Sequence, residues 1–132
     1  MRLLHLYMQY FDAFKKKLDN KDGIYCLEIK DSYTKKVTDF YKIKPFPSYK
    51  NEDNKLTILN KGDKNLLASQ FKKFIGFNKD ILEVGCGTGQ LSVYFALGNN
   101  NRIIALDPTI ESLKLAKNFS DKNEITNITF VN

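Results

Sequence analysis

Residues 80–89 read Asp-Ile-Leu-Glu-Val-Gly-Cys-Gly-Thr-Gly. The apolar run Ile81–Val84 predicts a short strand. Gly85, Gly87 and Gly89 predict a tight turn into a helix that opens at Thr88 or Gly89 and runs to about Leu97. Glycine suits such a turn because a Cβ would block a ligand or forbid positive φ. A glycine-rich turn between strand and helix lets the backbone approach a ligand closely. It also points amide N–H groups at an anionic or polar group. The pattern then repeats. Gly98–Asn101 reads as a turn and Arg102–Asp107 as a second apolar strand. Pro108 and Thr109 start a helix that carries Ile110, Leu113, Ala116 and Lys117 at helical spacing, and Asn127–Val131 reads as a third strand. Strands alternating with single helices predict an α/β fold with a parallel sheet, βαβαβ, from about residue 80 onward.

The spacing of the glycines narrows the ligand. A phosphate-binding Walker A loop needs Gly-Lys-Ser/Thr at its end, and Gly89 is followed by Gln90-Leu91. The dinucleotide fingerprint needs GxGxxG, but counting from Gly85 the last position is Gln90, and counting from Gly87 it is Ser92. What stands here is GxGxG, preceded two residues earlier by Glu83.

That E-x-G-x-G-x-G pattern resembles the first motif of the class I, Rossmann-like S-adenosylmethionine-dependent methyltransferases. Asp107, 18 residues after Gly89, stands where that family carries an acid at the end of its second strand, and Asp107–Ala116 resembles the family's strand-to-helix segment. The resemblance covers about residues 80–132. It implies S-adenosylmethionine as cofactor, bound by Glu83, Gly85, Cys86, Gly87, Thr88, Gly89, Asp107, Pro108 and Thr109. In that reading the glycines floor the methionyl part, and Glu83 attracts the ammonium. Asp107 accepts both ribose hydroxyls, Pro108 and Thr109 border the adenine, and the helix start near Thr88 favours the cofactor's carboxylate. Upstream, Pro45-Phe46-Pro47-Ser48-Tyr49 resembles an approach segment in which an aromatic, here Tyr49, flanks the cofactor. The family's sheet has about seven strands in which the first three run in the order 3-2-1. Strand 1 would therefore be left as an open edge here, and the sequence reads as a truncated methyltransferase or the front part of a split one.

The rest of the chain reads as a lead-in. Leu3, Leu4, Tyr7, Met8, Phe11, Phe14 and Leu18 recur at helical spacing over about 2–18, with Asn20-Lys21-Asp22-Gly23 as the stop. Residues 24–29 predict a strand, Ser32 caps a helix to about Tyr41, residues 44–49 are extended because of the prolines, and residues 50–55 form a polar loop. Residues 62–77 predict a helix that buries Leu66, Leu67, Phe71, Phe74 and Ile75. The division is a mainly helical region over 1–61 and a Rossmann-like half domain over 62–132.

Composition sets the outer bounds. The chain has 132 residues, 42% hydrophobic and 27% charged, which fits one globular domain. No apolar run is long enough to span a bilayer, so no membrane association is expected. Cys26 and Cys86 form no CxxC pair, and with His5 as the sole histidine no metal cluster is expected. Two lone thiols fit a reducing, cytoplasmic setting. Cys86 reads as a small filler in the turn and His5 as a helix-face residue. The net charge of +6 is concentrated in the first half, with +5 over residues 1–66 and +1 over 67–132. That half admits a nucleic-acid acceptor and equally a small molecule. No side chain is assigned as catalytic, because methyl transfer mainly asks for alignment of an already activated methyl group. Two alternatives stand beside the methyltransferase reading. One is a non-catalytic cofactor-binding fragment that pairs with another chain through the open sheet edge. The other is a nicotinamide-dependent oxidoreductase domain, against which the GxGxG spacing weighs.

Overall fold

The computed structural model describes residues 2–28 and 32–132, with side chains from residue 9 onward. Ile29 and the side chains of Leu3, Leu4, His5, Tyr7 and Met8 lie outside that description. In chain order the elements are helix α1 (Arg2–Lys15), strands β1 (Asp19–Lys21) and β2 (Ile24–Cys26), and helices α2 (Ser32–Ile43), α3 (Lys55–Lys64) and α4 (Leu66–Ile75). Then follow β3 (Asp80–Val84), α5 (Gln90–Ala96), β4 (Arg102–Leu106), α6 (Ile110–Lys122) and β5 (Ile128–Val131). Among the described residues no helix is long and apolar enough to cross a membrane.

One mixed sheet runs β1-β2-β5-β4-β3. β3, β4, β5 and β2 are parallel, in the register Ile81↔Ile103, Ile103↔Ile128 and Ile24↔Phe130. The centre is dry: Ile103, Ile104 and Ala105 of β4 and Phe130 and Val131 of β5 are all buried, as expected of parallel strands covered by helices. Helix α5 buries five consecutive residues, Ser92 to Ala96, and α6 buries Leu113, Ala116 and Phe119.

The N-terminal region contributes to this sheet. Asp22 and Gly23 both have positive φ, 53° and 79°, and the Asn20 side chain accepts a bond from the Gly23 amide. These are the marks of a two-residue type I′ hairpin, so the residues read as a helix stop instead join β1 to β2. The ribbon then adds to β5: the Asn132 amide donates to the Tyr25 carbonyl at 2.7 Å, and the Leu27 amide to the Asn132 carbonyl at 2.6 Å.

The helix expected over 62–77 is two helices. Asn54 caps α3, accepting from the Leu56 and Thr57 amides while the Thr57 hydroxyl accepts from the Asn54 amide. Asn65 ends α3 and caps α4. The burial expected of α4 is corrected: Leu66, Leu67, Phe71 and Phe74 are exposed, Phe74 by 89%, and only Ile75 is half-buried. β3 beside it is an edge strand with Leu82 64% and Val84 71% exposed, and among the described residues no further strand pairs with it on the α4 side.

What does hold α3 and α4 is the end of α5. Lys72 donates to the Tyr94 and Leu97 carbonyls, both at 2.7 Å, and the Tyr94 hydroxyl donates to Asp63. A lysine on the last carbonyls of a helix satisfies orphan acceptors and suits the helix dipole. At Gly62 a Cβ would stand 2.2 Å from the Tyr94 ring, so α3 crosses α5 in direct contact. Gly62→Ala is therefore expected to destabilise the chain by about 1–3 kcal/mol through overpacking, measured by urea unfolding. An unchanged midpoint would show that α3 moves away from Tyr94 at no cost.

Candidate functional site

The three glycines of the turn have positive φ, between 55° and 75°, which β-carbon-bearing residues adopt at a cost. Contact adds a second demand at two of them. A Cβ at Gly89 would lie 2.9 Å from that of Ala116, and one at Gly87 would lie 3.1 Å from the Phe46 carbonyl oxygen. At Gly85 it would point into open space.

Four of the turn's amides are bound inside the chain. Those of Gly85 and Cys86 donate to the Leu106 carbonyl at 2.8 and 3.0 Å, that of Gly87 to Asp107 Oδ2 at 2.7 Å, and that of Gly89 to the Cys86 carbonyl. The expectation that these amides face an anionic ligand is thereby corrected. The turn offers close approach to bare backbone, and the charge beside it is the carboxylate of Asp107.

Asp107 ends β4 and is only 7% exposed. Its Oδ1 accepts from the Thr109 amide at 2.8 Å and its Oδ2 from Gly87, so it ties the turn after β3 to the turn after β4. Asn132 and Val131 of the next strand fix its backbone. Each carboxylate oxygen keeps a lone-pair direction for a further donor. A cavity of about 290 Å³ lies against it, walled by Gly85, Gly87, Asp107, Pro108, Thr109 and Ser112 on one side. On the other side are Val37 and Tyr41 of α2 and Phe46. Five of the sequence-derived residues thus come together: Gly85, Gly87, Asp107, Pro108 and Thr109.

The others lie elsewhere. Thr88 and Gly89 are buried under the turn. Tyr49 is stacked on Phe119 and donates its hydroxyl to the Thr88 carbonyl, so it touches the turn and not this cavity. Cys86 faces a neighbouring cavity of about 250 Å³ with Ile58, Gly62 and Tyr94. Burial, with Glu83 and Asp107 nearby, pushes its thiol far above the ordinary range, which suits a packing residue and not a nucleophile. Glu83 lines a third cavity, of about 470 Å³, against α4, and accepts a hydrogen bond from Ser92. Val37 and Tyr41 were missed by the sequence reading, because no local pattern ties α2 to a turn more than 40 residues away, and in the approach segment 45–49 it is Phe46, not the expected Tyr49, that lines this cavity.

Residues 76–132 match the family model described as a methyltransferase domain. Over this segment the chain is similar to methyltransferase domains. The segment contains β3, the glycine turn, β4, Asp107 and β5, and leaves α2, the Pro45–Tyr49 segment and α3 outside the match. No curated protein and no solved structure shows a significant match to the chain. Among the described residues no His/Cys/Asp/Glu cluster suits a metal ion.

Glu83 and the two cysteines each yield a prediction. Burial raises the Glu83 carboxyl above its ordinary 4.5, against the lowering effect of the Ser92 bond. The folded chain then holds a proton that the unfolded chain has released, so stability falls as pH rises from about 4.5 through the raised value. Glu83→Gln is expected to flatten that part of the Tm–pH profile; an identical slope would remove Glu83 as its cause. Alkylation by iodoacetamide at pH 8 is expected to reach the half-buried Cys26 before the buried Cys86, read by peptide mass spectrometry. Equal rates would contradict the packing assigned to Cys86.

Proposed function

We propose that the chain binds S-adenosylmethionine against Asp107 and serves methyl transfer to an acceptor. The observation that carries this reading is the carboxylate of Asp107, held at the end of β4 by the glycine turn it faces, beside an open cavity of about 290 Å³. The chain's residues fit the cofactor on two counts. A carboxylate with free lone pairs suits vicinal ribose hydroxyls, and the open space at Gly85 admits a ligand where a side chain would stand. Once bound, the cofactor supplies a sulfonium methyl group that needs little further activation.

Each part of the chain then has a limited task. Asp107 binds and orients the ribose, Pro108 and Thr109 border the base, and the glycine turn permits backbone contact along the methionyl part. Glu83 adds negative potential on the far side of the turn, where an ammonium is favoured. The protein's contribution to rate is orientation of the methyl donor. The acceptor is not specified by these residues.

A second reading, a cofactor-binding module that works with a partner chain, is favoured by one observation: the exposed Leu82, Val84, Leu67 and Phe71 on and beside β3. Gel filtration of the purified chain separates the two.

Calorimetric titration with S-adenosylhomocysteine tests the main reading. Saturable binding is expected, weakened about 10–100-fold in Asp107→Asn, since hydrogen bonds to a charged group contribute about 1.5–3 kcal/mol. NAD is expected to give no heat. A folded chain that ignores S-adenosylhomocysteine, or that takes NAD as well, would contradict the assignment.

A further inference from the structure

Residues 45–49, Pro-Phe-Pro-Ser-Tyr, lie outside the family match yet are bonded to its glycine turn. The Thr88 hydroxyl donates to the Pro47 carbonyl. The Tyr49 hydroxyl donates to the Thr88 carbonyl at 2.9 Å. Gln90 donates from Nε2 to the Ser48 carbonyl at 3.3 Å. The two bonds at Thr88 run in opposite directions, so one fully buried residue is held by the strap through both its side chain and its backbone. The Tyr49 ring is itself fixed, stacked on Phe119 of α6 with centroids 4.2 Å apart and planes 11° from parallel. Burial raises its phenol, which therefore remains a donor at any working pH.

The strap also divides space. Pro47 lines the cavity that holds Cys86, whereas Phe46 lines the one that holds Asp107. Phe46 is 72% exposed although its carbonyl rests against Gly87. An aromatic ring on an anchored backbone, left in water beside a ligand cavity, gains most by meeting a flat apolar face, and its anchoring lowers the ordering cost.

We propose that the strap is a ligand-positioning device, in which the Tyr49–Thr88 latch sets the turn's shape before ligand arrives and fixes Phe46 as the wall that meets the ligand's flat nucleoside face. The ligand's identity rests on the function proposed above; the latch does not. Tyr49 and Thr88 are positioning residues, and Phe46 is a specificity-determining contact.

The test combines amide hydrogen exchange on the unliganded chain with S-adenosylhomocysteine calorimetry. Tyr49→Phe keeps the ring stack and removes one bond; Thr88→Val removes the other. Each is expected to speed exchange of the Gly87 and Gly89 amides about tenfold and to weaken binding about tenfold. Thr88→Ser, which keeps the hydroxyl, is expected to restore both. Tyr94→Phe, which loses a bond to Asp63 away from the turn, is expected to lower Tm comparably without changing either readout. Phe46→Ala is expected to weaken binding about tenfold with exchange unchanged. Wild-type exchange rates in both Tyr49→Phe and Thr88→Val would overturn the latch. Faster exchange with undiminished binding would overturn the positioning role, and full affinity in Phe46→Ala would overturn the wall. Failure of wild-type chain to bind S-adenosylhomocysteine would overturn the function proposed above and the ligand role of Phe46, with exchange alone then deciding the latch.

Discussion

A single carboxylate holds the two connecting turns of the sheet in one arrangement. Asp107 accepts from Gly87 on one side and Thr109 on the other, and both bonds are charge-assisted and largely shielded from water. The glycine turn is shaped by that contact and by the Leu106 carbonyl, which takes two more of its amides. Everything placed on the turn inherits this order: the start of α5, the close approach of Ala116, and the strap that rests on Gly87. Glu83 feels the same charge, which adds to burial in raising its carboxyl.

Much of the sheet was legible because its signals are local. Apolar runs at 81–84 and 102–106, each ended by turn residues, mark strands whatever surrounds them, and the helix between them is too short to be misplaced. Asp22-Gly23 and the Asn54–Thr57 pair were equally local signals, of a hairpin and of a helix start, and were read as a stop and a loop because a short polar stretch invites the blander reading. The burial of α4 was not legible for a different reason. An apolar stripe states that a face favours cover, and only the sheet order reveals whether anything is there to provide it.

The site divides along the same line. Its carboxylate and glycines could be named from spacing, since one strand, one turn and one helix set their positions. What those groups do with their hydrogen bonds could not. The amides that a sequence motif suggests as ligand donors are held by Leu106, Asp107 and Cys86. The opposite wall comes from α2 and the strap, whose placement depends on Tyr49 finding Phe119 some 70 residues later. The family match covers the first wall and not the second, so the aromatic side of the cavity is supplied by residues outside the matched segment.

The pairing of β2 with β5 has a consequence for the order of events during synthesis. Ile24 leaves the ribosome well before its neighbour in the sheet, Phe130, and the ladder closes through Tyr25, Leu27 and Asn132. The hairpin thus waits, with an apolar residue uncovered, until more than a hundred further residues have emerged. Contacts this far apart in sequence slow folding and prolong the exposure of strand edges to other chains. The edges of β2 and β4 accordingly stay open over the interval in which β3 and β4 are already made and β5 is not.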